Sequence, residues 1–174
     1  TLSEYSPAIG AGLDTAFIPT TDIDGNPRPN PAGSNPDMGA YENPFGTPQH
    51  MPITINVPDD YATIQEGLNA ADSTDTILVQ PGTYYENIIW PETNGIKLLS
   101  AGDSSNTIID GGSNGSVITI NGAGLAIDST TVIRGFKITN GSSIFYGGGI
   151  AMDGVINPVL VDLLFVNNSA YYGG

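Results

Sequence analysis

Apolar and polar residues alternate along short segments of the chain from residue 53 onward. The segment Ile53-Thr54-Ile55-Asn56-Val57 shows this alternation, which is typical of a strand with one buried face. Similar short apolar segments follow, and Gly, Asn, Asp or Ser separates nearly all of them. The pattern predicts further strands at residues 76–80, 87–90, 96–100, 107–110, 116–120, 131–139, 149–152 and 158–166.

One segment, residues 61–71, has helical periodicity instead. Its apolar residues recur at spacings of four and three and therefore fall on one helix face: Ile64, Leu68 and Ala71. Asp59 or Asp60 is suited to be the N-cap. Gly67 lowers helix stability by about 1 kcal/mol relative to alanine, so we expect this helix to depend on a packing surface. No second helical segment is long enough for a parallel crossover, which disfavours a doubly wound fold.

The first 50 residues show neither periodicity. They contain prolines at positions 7, 19, 27, 29, 31, 36, 44 and 48 and predict mostly loop structure. Pro and Gly near residue 46 keep the chain extended and unpaired, as in a linker. We therefore predict three regions: a loop-rich segment at 1–45, a linker at 46–52 and a β-rich region at 53–174.

Charge and composition narrow the classes of function. The chain has 174 residues with 18 acidic and 4 basic side chains, a net charge of -14, and no cysteine. Four basic residues cannot neutralise a phosphate backbone, so nucleic acid is disfavoured as a partner. No apolar run reaches the ~18–20 residues that span a bilayer, which predicts no membrane insertion. The absence of cysteine excludes disulfides and thiol chemistry.

A weak internal repeat is present in the β-rich region. The segment from Ile133 to Asn140 resembles the segment from Val161 to Asn168 at an offset of 28 positions. Tyr146-Gly147-Gly148 recurs as Tyr172-Gly173-Gly174 at an offset of 26. A repeat of this length filled with short strands predicts one coil of a three-sheet β-solenoid, in which stacked coils bury each other's inner faces.

Part of this region resembles a known superfamily. Three segments are similar to the opening of the pectin-lyase-like right-handed parallel β-helix superfamily: Asp60-Tyr61-Ala62-Thr63-Ile64-Gln65, Asp75-Thr76-Ile77-Leu78-Val79 and Pro81-Gly82-Thr83-Tyr84. The resemblance continues through Ile133-Arg134-Gly135-Phe136 to the end of the sequence. It implies an all-β fold, a right-handed parallel β-helix whose first coil is capped by the helix near 61–71.

The first region resembles the closing segment of bacterial secreted β-helix proteins. The similarity lies in Ser6-Pro7-Ala8-Ile9-Gly10, Thr21-Asp22-Ile23-Asp24-Gly25 and Asp37-Met38-Gly39-Ala40-Tyr41-Glu42, although that family commonly has Asp where Gly10 stands. This implies that residues 1–45 close one β-helix, whereas residues 53–174 are the first coils of another, truncated at its C-terminal end. It also implies a secreted, extracellular or cell-surface protein, of bacterial origin.

Three functions are compatible with this resemblance. The first is a structural surface protein that self-associates head to tail through its solenoid ends into a filament. The second is a polysaccharide lyase or glycoside hydrolase, and the third is a non-catalytic carbohydrate-binding adhesin. We favour a structural or adhesive role and predict no catalytic residue.

The basic residues bear on the lyase alternative. Lyases of this fold resemble one another in using an Arg or Lys base beside Asp-bound Ca²⁺. The basic residues here are few and scattered: Arg28, Lys97, Arg134 and Lys137. Arg134 and Lys137 fall in one predicted strand at odd separation, which directs them to opposite faces. His50 is the only histidine, so histidine-based acid–base chemistry is disfavoured.

Two groups of residues are candidates for binding. Asp22 and Asp24, followed by Gly25, resemble the start of a Ca²⁺-binding loop, and the alternative is an Asx turn. No cofactor other than Ca²⁺ is indicated. Aromatic residues are candidates for stacking on a polysaccharide, with packing in the core as the alternative: Tyr84, Tyr85, Trp90 and Tyr146, together with Tyr171 and Tyr172.

Overall fold

The computed structural model describes residues 2–15, 17–122, 127–154 and 157–172. It divides into two compact units, Thr1–Met51 and Pro52–Gly174. Within the described residues there are fourteen strands and one helix, all in the second unit. No helix of the described ranges is long and apolar enough to cross a membrane. Gly173 and Gly174 of the sequence repeat lie outside the described residues.

The second unit consists of short strands in quick succession, with the helix after the first strand. In chain order the elements are β1 Thr54–Val57, α1 Ile64–Ala70, β2 Thr76–Val79, β3 Gly82–Tyr85, β4 Ile88–Ile89, β5 Lys97–Ser100, β6 Thr107–Asp110, β7 Ile118–Asn121, β8 Val132–Arg134, β9 Lys137–Thr139, β10 Ser142–Tyr146, β11 Ile150–Asp153, β12 Val159–Val161, β13 Leu164–Val166 and β14 Ser169–Tyr172. The described part of the chain is thus mostly β-strand with one short helix, in agreement with the predicted all-β class.

The strands form four sheets in which every pairing is parallel. The strand orders are β1-β2-β5-β8-β12, β3-β6-β9-β13, β4-β7-β11 and β10-β14. β1 pairs with β2, from which α1 separates it in sequence, and every other pairing joins strands that are not consecutive along the chain. Neighbouring strands within each sheet therefore run in the same direction.

The register of the last two passes differs from the repeat expected from the sequence. Ile138 pairs with Phe165, an offset of 27 positions, and not the 28 inferred by aligning Asn140 with Asn168. Asn140 corresponds to Asn167 instead, and both are left-handed, with φ values of 56° and 55°. Because side chains alternate with a period of two, an offset of 28 would pair Ile138 with Val166 and turn Phe165 to the opposite face of the sheet.

Two predicted strands are each divided in the structure. Residues 131–139 form β8 and β9, and residues 158–166 form β12 and β13. The divisions fall at Gly135 and Asp162, whose φ values are 84° and 52°, outside the extended region that a strand requires. Arg134 and Lys137 therefore lie in two different sheets, and the expectation that they share a strand is wrong.

Columns of apolar side chains in register form the core. Ile55, Ile77, Leu98 and Ile133 are paired successively across β1, β2, β5 and β8, and all are buried. The next residue of this column is Leu160 of β12, which is 38% exposed. Each of these four strands therefore contributes one buried apolar side chain to the column, which packs against the paired residues of the adjacent strands.

The helix begins later than predicted, and a different residue caps it. Thr63 is the N-cap and forms a capping box with Glu66, in place of the expected Asp59 or Asp60. The predicted apolar face is buried. Gly67 is buried too, and a Cβ there would lie 3.3 Å from Val57 Cγ2. Glycine therefore allows the helix to pack closely on β1, which compensates for its poor helix propensity.

Side chains also bind α1 to the first strand of another sheet. The Gln65 amide donates to the Ile89 carbonyl oxygen at 2.9 Å and accepts from the Ile89 N–H at 2.7 Å. Both Glu86 carboxylate oxygens accept from N–H groups of the first helical turn, Ile64 and Gln65, at 2.9 Å. Gln65 thus satisfies backbone groups at the edge strand β4 as a neighbouring strand would.

We expect Gln65→Ala to lower the stability of unit 2 by about 1 to 2 kcal/mol, since it leaves two Ile89 backbone groups without their partner. Hydrogen exchange measured by NMR should show a faster rate at the Ile89 amide. Asn69→Ala is the control, because Asn69 is exposed and contacts this network only through Gln65. Equal protection of Ile89 in all three proteins would contradict the role of Gln65.

Unit 1 is organised around buried carboxylates. Within its described residues it contains no helix or strand, apart from an isolated bridge between Thr21 and Pro27. Asp22, Asp37 and Glu42 are buried, and each accepts hydrogen bonds from backbone N–H groups of distant segments. These bonds take the place of a strand ladder in satisfying the backbone of a loop-rich unit.

The best-connected of these carboxylates is Asp22, and its hydrogen bonds predict a pH effect. The Asn26 side chain and three backbone N–H groups lower the pKa of Asp22 from 3.8 to about 2. Because the folded pKa lies below the unfolded value, ionised Asp22 stabilises unit 1 above about pH 4. This stabilisation is lost as the pH falls from about 4 to about 2.

An NMR titration of the Asp22 carboxyl carbon should give a midpoint near pH 2. Asn26→Ala should raise that midpoint toward the ordinary value, because the Asn26 side chain is the largest cause of the lowered pKa. A wild-type midpoint near pH 4 would show that these hydrogen bonds do not persist in solution.

Candidate ligand-binding cleft

The floor of the candidate site is the outer face of β7 and β11. These strands pair in register, Thr119 with Ala151 and Asn121 with Asp153. Ile118 and Ile120, which alternate with Thr119 and Asn121 along β7, are buried, as expected for side chains that alternate between two faces of a sheet. Uncharged polar side chains and one carboxylate therefore lie side by side on the outer face.

The wall of the cleft is β10. The turn that joins β10 to β11 packs closely on β14. It requires glycine at position 148, because a Cβ there would overlap the carbonyl oxygen of Ser169. Within β10, the Ser143 hydroxyl accepts a hydrogen bond from the Phe145 N–H at 3.2 Å. Wall and floor border an open cleft with a volume of about 390 Å³, within the size range of small-ligand sites. Its lining is Ser116, Thr119, Ile120, Asn121, Ser143, Phe145, Tyr146, Ala151, Met152 and Asp153.

The aromatic residues beside the cleft are exposed and contact one another. Phe145 and Tyr146 are 64% and 65% exposed. The Tyr146 ring stacks on Tyr172 of β14 at a centroid distance of 5.2 Å, and Tyr171 meets Tyr172 edge to face at 4.6 Å. Stacking restrains the Tyr146 ring and covers one of its faces, so a ligand can stack only on the other face.

The structure places the four predicted aromatic residues in different environments. Tyr146 alone lines the cleft. Tyr85 is 77% exposed on β3, in another sheet. Tyr84 is half-buried against the core and its hydroxyl donates to the Gln80 carbonyl oxygen at 2.9 Å, while burial raises its pKa. Trp90 is 4% exposed within the core, so core packing describes Tyr84 and Trp90.

The residues predicted to bind Ca²⁺ form an Asx turn. Asp22 Oδ1 accepts from the N–H groups of Asp24 and Asn26, and Oδ2 accepts from the Asn26 side chain and the Glu42 N–H. Asp24 is exposed. No group of three or more acidic or histidine side chains among the described residues is arranged to hold a metal ion. The Ca²⁺ site stays a prediction without geometric support.

The basic residues do not converge on an acidic group of the cleft. Arg28, in unit 1, pairs with Glu42 at 2.6 Å. Lys97, Arg134 and Lys137 belong to β5, β8 and β9, and the strands that form the cleft contain no basic residue. The arrangement of a carboxylate-bound cation beside a basic side chain, which a lyase would need, is therefore not formed in the cleft.

Sequence reasoning did not identify Phe145, Thr119, Asn121 or Asp153 as site residues. Asn121 and Asp153 are distant in sequence and meet only because β7 and β11 pair. One signal for the aromatic part was present, since the recurrence of Tyr146 as Tyr172 marks two residues that the structure pairs. Comparison with protein-family models and with curated proteins gives no match.

Proposed function

We propose that unit 2 is a right-handed parallel β-helix, a three-sheet β-solenoid whose first coil is capped by α1. The repeated sheet order and the columns of paired core residues support this architecture. The Gln65 and Glu86 hydrogen bonds support a capping role for the helix. The sequence resemblance to the pectin-lyase-like superfamily and to bacterial closing segments favours an extracellular or cell-surface location.

For this surface protein we propose non-catalytic carbohydrate binding through the cleft. One observation carries the proposal: the exposed, stacked Tyr146 borders a cavity lined by hydroxyl and amide side chains. The C–H groups of a sugar ring pack on the negative face of an aromatic ring, and its hydroxyls bond to polar neighbours. The absence of a basic residue from the cleft strands favours a binding module over a lyase.

A glycan array followed by calorimetry on the hits tests this proposal. We expect wild-type protein to bind, and Tyr146→Ala to bind at least about tenfold more weakly, the equivalent of about 1.4 kcal/mol. Tyr85→Ala is the matched control, because Tyr85 is at least as exposed as Tyr146 but lies outside the cleft. Equal losses in both variants, or no binding by wild type, would contradict the proposal.

The same glycans also test the enzymatic alternative. Incubation of each bound polysaccharide with the protein, with and without Ca²⁺, should leave its chain length unchanged. Appearance of unsaturated or shortened products would assign a lyase or hydrolase activity and replace the binding function.

A structural role through self-association is the second candidate, favoured by the last layer of strands. β12 and β13 end their sheets, and the core columns end there in Leu160 and Phe165, which are 38% and 49% exposed. Edge strands with exposed apolar side chains can pair with another chain, and equally with further strands of the same protein. At the opposite end, however, Gln65 already occupies the edge of β4, which disfavours strand addition to that sheet.

Negative-stain electron microscopy with and without chelator tests this candidate. Regular filaments that disperse in the Leu160→Asp variant would support assembly through the last layer. Isolated particles in both conditions would exclude it.

A further inference from the structure

We infer that the cleft selects uncharged glycans and rejects uronate-containing ones. This inference rests on the proposed carbohydrate-binding function and specifies its ligand class. It is based on the charges that line the cleft and on those that do not.

Among the described residues that line the cleft, Asp153 alone has a carboxylate or basic side chain. It is exposed on the outer face of β11, beside Asn121 of β7. A carboxylate accepts hydrogen bonds from hydroxyl groups, and such charge-assisted bonds are about twice as strong as neutral ones. The hydroxyls of a neutral sugar suit this position.

A uronate would place a second carboxylate near Asp153. Two like charges a few ångströms apart repel, and one of them must be protonated or displaced. The described lining of the cleft contains no basic side chain to compensate. Lys97 and Arg134 lie on strands of the five-stranded sheet, and Lys137 lies on a strand of the four-stranded sheet. The net charge of -14 adds a long-range repulsion for any polyanionic chain.

The remaining lining groups are equally suited to a neutral ligand. Ser116, Thr119 and Ser143 have hydroxyl groups that can donate and accept hydrogen bonds, and Asn121 adds an uncharged amide side chain to the lining. Tyr146 supplies the flat apolar surface at the wall. Each of these groups can bond to sugar hydroxyls or pack on C–H faces, and none of them carries a positive charge that would offset the repulsion between a uronate and Asp153.

Isothermal titration calorimetry on the full chain, with neutral oligosaccharides and uronate oligosaccharides of matched length, tests the selectivity. We expect the neutral series to bind at least about tenfold more tightly at low ionic strength. Asp153→Asn should reduce this preference by improving uronate binding, and added salt should act in the same direction. Asp59→Asn, which removes the same charge at an exposed position outside the cleft, should leave the preference unchanged.

The outcomes separate the selectivity from the binding function. Equal or tighter uronate binding, inhibited by Tyr146→Ala, would overturn the selectivity and leave carbohydrate binding intact. Uronate binding that requires Ca²⁺ and is abolished by Asp153→Asn would also overturn it, because the carboxylate would then act through a metal. Binding of neither series would overturn both proposals.

Discussion

Replacing Leu98 with alanine is expected to lower the free energy of unfolding of unit 2 by about 3 kcal/mol. Leu98 is fully buried in the middle of the core column, between Ile77 and Ile133. The paired strands on both sides hold the backbone in place, so the cavity left by the missing atoms cannot close. Urea unfolding followed by the fluorescence of Trp90, the only tryptophan and part of the same core, measures the loss.

The neighbouring leucine is a matched control for this substitution. Leu99 is the next residue of β5, is half-buried and lies on the opposite face of the strand. Leu99→Ala should cost about 1 kcal/mol or less, because little apolar surface returns to water. Similar losses in both variants would contradict the assignment of inner and outer faces and, with it, the register of the whole sheet.

In unit 1 the largest expected effect is that of Glu42→Ala. The Glu42 carboxylate is fully buried and accepts hydrogen bonds from Arg28 and from the N–H groups of Asn30 and Asp37. Removing the carboxylate leaves the Arg28 guanidinium and the two N–H groups without this partner, which should lower the free energy of unfolding of unit 1 by about 3 to 5 kcal/mol. A unit of this size has little stability to lose, so we expect it to unfold.

Hydrogen-exchange mass spectrometry resolves this effect from the rest of the chain. Peptides from residues 2–51 should lose protection in Glu42→Ala, whereas peptides of the second unit keep theirs. Glu4→Ala is the control, since Glu4 is exposed. Wild-type protection in the Glu42 variant would show that the carboxylate network does not hold unit 1 together.

The strands that could be predicted from sequence are those with an inner and an outer face. Residues 107–110 were predicted at their observed bounds, and β1, β2 and β5 within one residue. In these strands every second side chain is buried, so apolar and polar residues alternate in the sequence. The strands missed are β3, β10 and β14, whose side chains are mostly exposed or half-buried. Hydrogen bonding to neighbouring passes decides their conformation, and single-segment patterns do not contain that information.

The divisions within the longer segments were unpredictable for a different reason. Asp162 adopts a left-handed conformation that only glycine adopts without cost, and the sequence around it continues a strand pattern. Gly135 occupies the aligned position one pass earlier. Aligning the segments on this pair, in place of Asn140 and Asn168, would have given both the turn and the register.

The cleft could be predicted only in part, because its residues come from three strands that are separate in sequence. Of the aromatic residues predicted to bind sugars, Tyr146 lines the cleft, whereas Tyr84 and Trp90 pack in or against the core. Asp153 carried no local signal, since an isolated exposed aspartate is common. Its significance depends on its pairing with Asn121 and on the absence of basic residues from the cleft strands, which requires the sheet order.

The most direct test of this account is an NMR titration of the isotopically labelled chain with a neutral oligosaccharide that it binds. The account predicts chemical-shift changes concentrated on the cleft, at Thr119, Asn121, Phe145, Tyr146 and Asp153, with the Tyr85 face unchanged. Changes concentrated on Tyr85, or at the last layer around Leu160 and Phe165, would contradict the cleft as the binding site.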